Sequence, residues 1–136
     1  MPELLSARRL SACGRLMSIV PLAALLQAPL VCILHVDRRL DTAAVARLVN
    51  VPPQHLRLAR VAELVPEFGF SAGSVGPWAL RRPHETRVLV DRELLELDVA
   101  GILVGAGALD AHISIPPHHL VGACRATVGD IHRSDE

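Results

Sequence analysis

The stretch LMSIVPLAALLQAPLVCIL, from Leu16 to Leu34, decides the class of fold that this chain adopts. It is long and apolar enough to suggest a membrane segment, and arginines precede it. However, it contains Pro21, Gln27 and Pro29, which would break one helix into pieces. Two short buried strands joined by a turn explain the stretch equally well, and we favour this soluble interpretation. A small membrane-anchored protein is the alternative that remains.

The segments around this stretch predict short helices interspersed among strands. A short amphipathic helix is expected over residues 3–15, and Asp41 is placed to cap a helix that runs to Asn50. Strands are predicted at Pro29–Val36, His55–Ala59, Thr86–Asp91, Val99–Gly105, His112–Ile115 and Ala126–Ile131. Brief helices are predicted at Val61–Phe68, after a cap at Asp91, and from Pro116 or Pro117. The fold class is therefore mixed α/β or α+β, a single domain with a mixed, mainly antiparallel sheet and short flanking helices.

Composition excludes several classes of protein. The chain has 136 residues, enough for one domain, and its 51% hydrophobic residues rule out general disorder. Fourteen acidic residues balance fourteen arginines, and a neutral chain is not an obvious autonomous nucleic-acid binder. The three cysteines Cys13, Cys32 and Cys124 are far apart, which indicates reduced thiols in a reducing compartment. Cys32, within an apolar run, is predicted to be a small core residue.

Two loops rich in small residues are candidates for a binding site. The first is FGFSAGSVGPWAL, from Phe68 to Leu80, which holds every aromatic residue of the chain and the pattern G-x-x-x-P from Gly73 to Pro77. Glycine lets backbone N–H groups come close to a ligand, and proline fixes the exit of the loop. The second is GAGALDAH, from Gly105 to His112, predicted to be a turn. Two such loops would line a compact site built largely from main chain, and two ordinary tight turns are the alternative.

Three more familiar kinds of site are not supported. The GAGALD segment has Asp110 in place of the third glycine, and a strand rather than a phosphate-binding helix follows it. The histidines between residues 112 and 119, with Cys124, match no recognised closed zinc site, and the pair at 118 and 119 suits the exposed start of a helix. Ser74 does not lie in a strand-to-helix nucleophile elbow. We expect neither a metal nor a cofactor.

Taken in order, four segments resemble the YbaK/prolyl-tRNA synthetase-associated editing domain family. They are DRRLDTAAVARLVN, FGFSAGSVGPWAL, VLVDRELLEL and ILVGAGALDAHISIPPHHLVGACRATVGDI. The loop from Gly73 to Pro77 matches the family's G-x-x-x-P loop. GAG followed by His112 resembles the GAN…H signature of the insertion domain of bacterial prolyl-tRNA synthetases. The resemblance covers residues 15–131, between an N-terminal segment of residues 1–14 and a polar tail of residues 132–136.

The resemblance implies a YbaK-like fold and an aminoacyl-tRNA deacylase, a hydrolase that removes a small amino acid such as alanine or cysteine from tRNA for proline. It also implies a cytoplasmic protein whose partners are mischarged tRNA and an aminoacyl-tRNA synthetase. Phe70 or Trp78 would wall the pocket or stack on the terminal adenine. The residues expected to bind substrate are Gly73, Ser74, Val75, Gly76, Pro77, Gly105, Ala106, Gly107 and His112.

The chain departs from the family at one functional position. Family members carry an important lysine on a strand upstream of the DRRLD segment, whereas this chain has no lysine and Arg15 falls nearest that place. Arginine keeps the positive charge but is planar, larger and effectively always protonated. Arg15 is therefore the candidate catalytic residue. A catalytically impaired binding or regulatory module of the same fold is the alternative function.

Overall fold

A computed structural model describes residues 3–6, 15–24, 29–64, 68, 86–97, 101–108 and 111–133. In this part of the chain, eight strands form one sheet: β1 (Glu3–Ser6), β2 (Arg15–Ala24), β3 (Leu30–His35), β4 (Leu56–Leu58), β5 (Arg87–Asp91), β6 (Ile102–Ala108), β7 (Ala111–Ile115) and β8 (Thr127–Gly129). Their order is β1-β7-β6-β2-β3-β5-β8, and β4 pairs with β2 off this path. Four strand pairs are antiparallel and three are parallel. The predicted mixed sheet is confirmed.

The apolar stretch from Leu16 to Leu34 contains most of β2 and β3. These strands are antiparallel, with Met17 opposite His35 and Leu22 opposite Leu30. The two predicted strands are thus confirmed, and the segment that joins them, residues 25–28, lies outside the described residues. No helix among the described residues combines the length and the apolar character needed to cross a membrane.

The described helices are short: α1 (Thr42–Val49), α2 (Val61–Glu63), α3 (Glu93–Glu96) and α4 (Pro117–Cys124), with a 3-10 turn at Pro53–His55. The start of α1 is the predicted one, because the Asp41 carboxylate accepts a hydrogen bond of 3.1 Å from the backbone N–H of Ala44. The helix ends at Asn50, which has the left-handed conformation (φ 60°) that suits this residue at a C-cap. Pro117 begins α4, as its fixed φ favours.

The predictions for residues 3–15 and for the segment from Gly105 are wrong, and distant strand pairing explains both. The helix expected over residues 3–15 is replaced at Glu3–Ser6 by β1, which pairs with β7. The turn expected from Gly105 is instead strand, since β6 continues to Ala108 while it pairs with β7. Hydrogen-bonding partners far along the chain overrode the local preference in each case.

The two faces of the sheet bury separate apolar cores. Alternate residues of β3 supply each one, as the two-residue period of a strand requires. The first core, which helices α3 and α4 help to cover, contains Met17, Val31, Ile33, Leu64, Phe68, Val88, Val90, Leu94, Ile102, Val104, Ile115 and Leu120. The second core, covered by α1, contains Leu22, Leu30, Cys32, Val45, Ala46, Val49, Val51, Leu56, Leu89 and Ile131. Cys32 is a core residue as predicted, and burial raises the pKa of its thiol to about 12.

Candidate functional site

Strand β2 borders an opening in the sheet. On one edge, β3 pairs with residues 17–22. On the other edge, β6 pairs with residues 15–16 and β4 pairs with residues 22–24. Among the described residues, no strand lies beside residues 17–21 on this second edge. We call the opening between β6 and β4 the notch.

The main chain of Ile19 faces the notch. The carbonyl of Pro21 accepts a hydrogen bond of 3.0 Å from the N–H of Ala59, so the main chain of Pro21 points away from β3. Because alternate residues of a strand direct their N–H and C=O groups to the same edge, Ile19 points there too. Ser18 and Val20 then point to β3. Within the described part of the chain, the N–H and C=O of Ile19 have no hydrogen-bond partner.

Pro21 is the sequence signal that could have revealed the notch. In the apolar stretch, Pro21 is predicted only to interrupt a helix. In a strand, however, proline is tolerated where its missing N–H is not needed for a ladder. An N–H at residue 21 would donate to the carbonyl of Ala59, and proline has no N–H to make this bond. A proline inside a strand-length apolar run therefore indicates an edge that is not fully paired.

The β6–β7 hairpin carries a bulge at one of the predicted site segments. Gly105 pairs with His112, but the next pair is shifted in register. The shift leaves two residues of β6, Ala106 and Gly107, without opposite residues on β7. Bulges redirect a strand and are common beside active sites. This segment lies beyond residue 103, where the paired part of β2 and β6 ends, and so it borders the notch.

The structure places the other predicted residues as follows. Arg15 begins β2 opposite Ile102, at the β6 end of the notch. Gly105 is three residues further along β6, which is about 10 Å in a strand. His112 lies on β7, two strands from Arg15. The loop from Gly73 to Pro77 lies outside the described residues, as do Phe70 and Trp78. The first aromatic of that segment, Phe68, is buried in the first core.

A cluster of polar residues lies at the other end of the sheet, formed by the end of β5 and the segment that follows β8. Asp91 was predicted to cap a helix, which is wrong: it is fully buried, and α3 begins only at Glu93. Its Oδ1 accepts a hydrogen bond of 3.2 Å from the N–H of Ile131, and its Oδ2 lies 2.6 Å from Nδ1 of His132. We call residues 38–41, 91–93 and 129–133 the C-terminal corner.

The corner contains a possible ligand set for a cation. Ligand atoms of Asp91, Glu93 and His132 lie within 4.8 Å of one another. However, Glu93 accepts hydrogen bonds of 2.9 to 3.2 Å from the Arg38 guanidinium, which holds the pKa of Glu93 below its usual range. The Asp91 oxygens already face Ile131 and His132. These contacts fix residues 131 and 132 to β5.

Two sequence-based exclusions are consistent with the described geometry. The GAG segment leads into the antiparallel strand β7 rather than into a helix, so it does not form a dinucleotide-binding turn. His118 and His119 are exposed in the first turn of α4, as predicted. Burial raises the pKa of the Cys124 thiol to about 11.

Comparisons with known proteins add a family and a set of structural relatives. The model of the aminoacyl-tRNA editing domain matches residues 22–123. The crystal structure of a hypothetical protein, APE2540, is similar with a TM-score of 0.82 and 25% identity, over 98% of this chain and 92% of that one. A candidate trans-editing enzyme for prolyl tRNA synthetase has a TM-score of 0.83 at 21% identity, over 98% and 87%, a likeness that shows the fold alone. No curated protein sequence matches the chain.

Proposed function

The chain belongs to the aminoacyl-tRNA editing domain family, and from this premise we propose that it hydrolyses the ester bond of a mischarged tRNA. Water adds to the ester carbonyl, and the products are a free amino acid and a tRNA with its terminal hydroxyl restored. The amino acid is small, such as alanine or cysteine, and the tRNA is that for proline. An editing site is needed because one missing methylene changes binding in a synthetase pocket by only about 1–3 kcal/mol.

The observation that carries this proposal is the notch with the bulged GAG segment at its border. Main-chain donors fixed by a sheet stabilise a developing oxyanion, and one such donor is worth about 3–4 kcal/mol. The chemistry then needs no serine, histidine and aspartate triad. The terminal ribose hydroxyl of the substrate would position the attacking water.

The predicted site residues take the following roles in this proposal. The loop from Gly73 to Pro77 holds the aminoacyl end by its main chain, and Phe70 or Trp78 packs against the terminal adenine or walls the pocket. His112, opposite Gly105, contributes to amino-acid selectivity. Arg15 takes the place of the family lysine and binds substrate through its positive charge.

Deacylation of tRNA for proline carrying alanine, cysteine, serine or proline tests the proposal. We expect the native chain to hydrolyse one small amino acid and Arg15→Ala to lose most of that rate. Arg92→Ala is the matched control, because Arg92 is an exposed arginine of the corner, 3.4 Å from Asp130, and its removal should leave the rate unchanged. The proposal fails if no mischarged tRNA is hydrolysed faster than in buffer at high protein concentration.

The absence of lysine from the sequence favours a second candidate function, a catalytically impaired binding module of the same fold. Arg15→Lys separates the two candidates. If the native chain is inactive but Arg15→Lys hydrolyses a mischarged tRNA, the native site has lost its catalytic activity and the binding module is the supported candidate. If the native chain is active and Arg15→Lys changes its rate little, the arginine serves in the lysine's place.

A further inference from the structure

Within the described part of the chain, the N–H and C=O of Ile19 face the notch without a hydrogen-bond partner. The strand cannot rotate to hide them, because β3 pairs with residues 17–22 on the other edge. The Ile19 side chain is partly buried against the first core, which further fixes its direction. Main-chain groups in a protein interior are nearly always paired with protein, water or ligand. A ligand that donates to the Ile19 carbonyl and accepts from the Ile19 N–H would pair both groups.

An α-aminoacyl group has that pair of functions at the right separation. In an antiparallel sheet, two opposed residues exchange two hydrogen bonds, each through its own nitrogen and its own carbonyl oxygen. An amino acid esterified to tRNA keeps both groups: the α-ammonium donates and the ester carbonyl accepts. From residue 17 to residue 21 the notch spans about 13 Å, which holds one residue and a sugar rather than a peptide strand.

We propose that the main chain of Ile19 binds the α-ammonium and the ester carbonyl of the aminoacyl group as if that group were the next residue of the sheet. The inference rests on the proposed function and gives its substrate a point of attachment. The Ile19 N–H then donates to the carbonyl oxygen whose negative charge grows during hydrolysis. Opposed residues of a sheet place their side chains on the same face. The amino-acid side chain therefore lies beside that of Ile19, on the face of the first core, where its size is limited.

Amide hydrogen exchange tests the free notch. We expect the Ile19 amide to exchange at least about 100-fold faster than the Val20 amide, whose N–H points to β3. Addition of an alanyl group linked by a stable amide to 3′-amino-3′-deoxyadenosine should slow exchange at Ile19, and adenosine alone should not. Slow exchange at Ile19 in the free protein would overturn the inference, because the N–H would already be bonded. Fast exchange that the analogue leaves unchanged would overturn it too.

A main-chain replacement tests the catalytic consequence. Incorporation of the α-hydroxy acid corresponding to isoleucine at position 19 removes the Ile19 N–H and turns the Ser18 carbonyl into an ester carbonyl, which is a weaker acceptor. We expect kcat/KM for deacylation to fall by about 10²- to 10³-fold, the usual effect of losing one oxyanion donor. The matched control is the same replacement at Leu34, which pairs with Ser18. The Ile19 replacement weakens the bond from the Leu34 N–H to the Ser18 carbonyl and the Leu34 replacement removes that bond, but only the Ile19 replacement removes the notch donor.

The Leu34 replacement should lower the thermal midpoint at least as much as the Ile19 replacement, and yet the Leu34 control should keep the native kcat/KM. An Ile19 replacement that also keeps the native kcat/KM would reject the inference. Failure of this inference about Ile19 is distinguishable from failure of the proposed hydrolase function. If the analogue protects the Ile19 amide while no mischarged tRNA is hydrolysed, the hydrolase is rejected and the aminoacyl-binding site is retained.

Discussion

The C-terminal corner and the notch differ in how completely their main-chain groups are hydrogen-bonded. In the corner, the chain end is bonded on both sides: the Ile131 N–H donates to Asp91, the Ile131 carbonyl accepts from Asp41 at 2.8 Å, and Arg133 donates to Arg39 at 2.7 Å. At the notch, within the described part of the chain, the N–H and C=O of Ile19 have no partner. Saturated main-chain hydrogen bonding in the corner favours stability, whereas the open edge at the notch is the place where we propose that substrate binds.

The largest expected effect on the corner comes from Asp91→Ala. Its carboxylate is fully buried and bonded to the Ile131 N–H, so its removal leaves a buried donor unpaired. We expect the free energy of unfolding to fall by about 3 kcal/mol. Urea denaturation at neutral pH measures it.

The control for that experiment is Asp130→Ala. Asp130 belongs to the same corner but is exposed, 3.4 Å from Arg92, and its loss should change the free energy of unfolding by less than about 0.5 kcal/mol. Equal losses of unfolding free energy for the two substitutions would contradict this prediction, because burial of Asp91 would then not explain the stability of the corner.

A smaller effect is expected from Asp41→Ala, which removes the cap of α1 beside the corner. The loss of the bond to the Ala44 N–H should cost about 1 kcal/mol of unfolding free energy. Asp37→Ala is the comparison variant, since Asp37 is an exposed aspartate that caps no helix. A cap that contributes nothing would give the same urea midpoint for both variants.

The pH dependence of stability tests the ion pair of the corner. The Arg38 guanidinium lowers the pKa of Glu93, so the pair stabilises the fold above the unfolded-state value of about 4.3 and this contribution is lost as the pH falls through the folded-state pKa. Glu93→Gln should therefore reduce the loss of stability between pH 5 and pH 3, by less than about 1 kcal/mol. Urea titrations at several pH values measure this slope. An unchanged slope would show that the pair is not coupled to folding.

The smallest effect is expected at the β4 end of the notch. Arg57 and Glu63 form an ion pair of 2.6 Å, and the Arg57 hydrogen bond lowers the pKa of Glu63 to about 2. Both side chains are partly exposed, so solvent screens their interaction. Arg57→Ala should leave the thermal midpoint at neutral pH within the error of measurement. A clear drop would show that the rim of the notch is as tightly held as the corner.

Local sequence signals predicted much of the fold. The Asp41 cap, the apolar run of β3 and the strand from Arg87 to Asp91 each depend on residues close together in the chain. The errors depend on distant partners: Glu3 pairs with Ser114, and Asp91 is bonded to Ile131 rather than to a helix. No local pattern contains that information.

The candidate site divides in the same way. The sequence alone named Gly105 to Gly107, His112 and Arg15, because small residues, a histidine and a cation at family positions can be read along the chain. Only the tertiary structure decided that a notch lies beside β2 and that Ile19 faces it. The reason is physical: a strand edge is open or closed according to where its neighbours stop, and β6 and β4 are brought there from distant parts of the sequence.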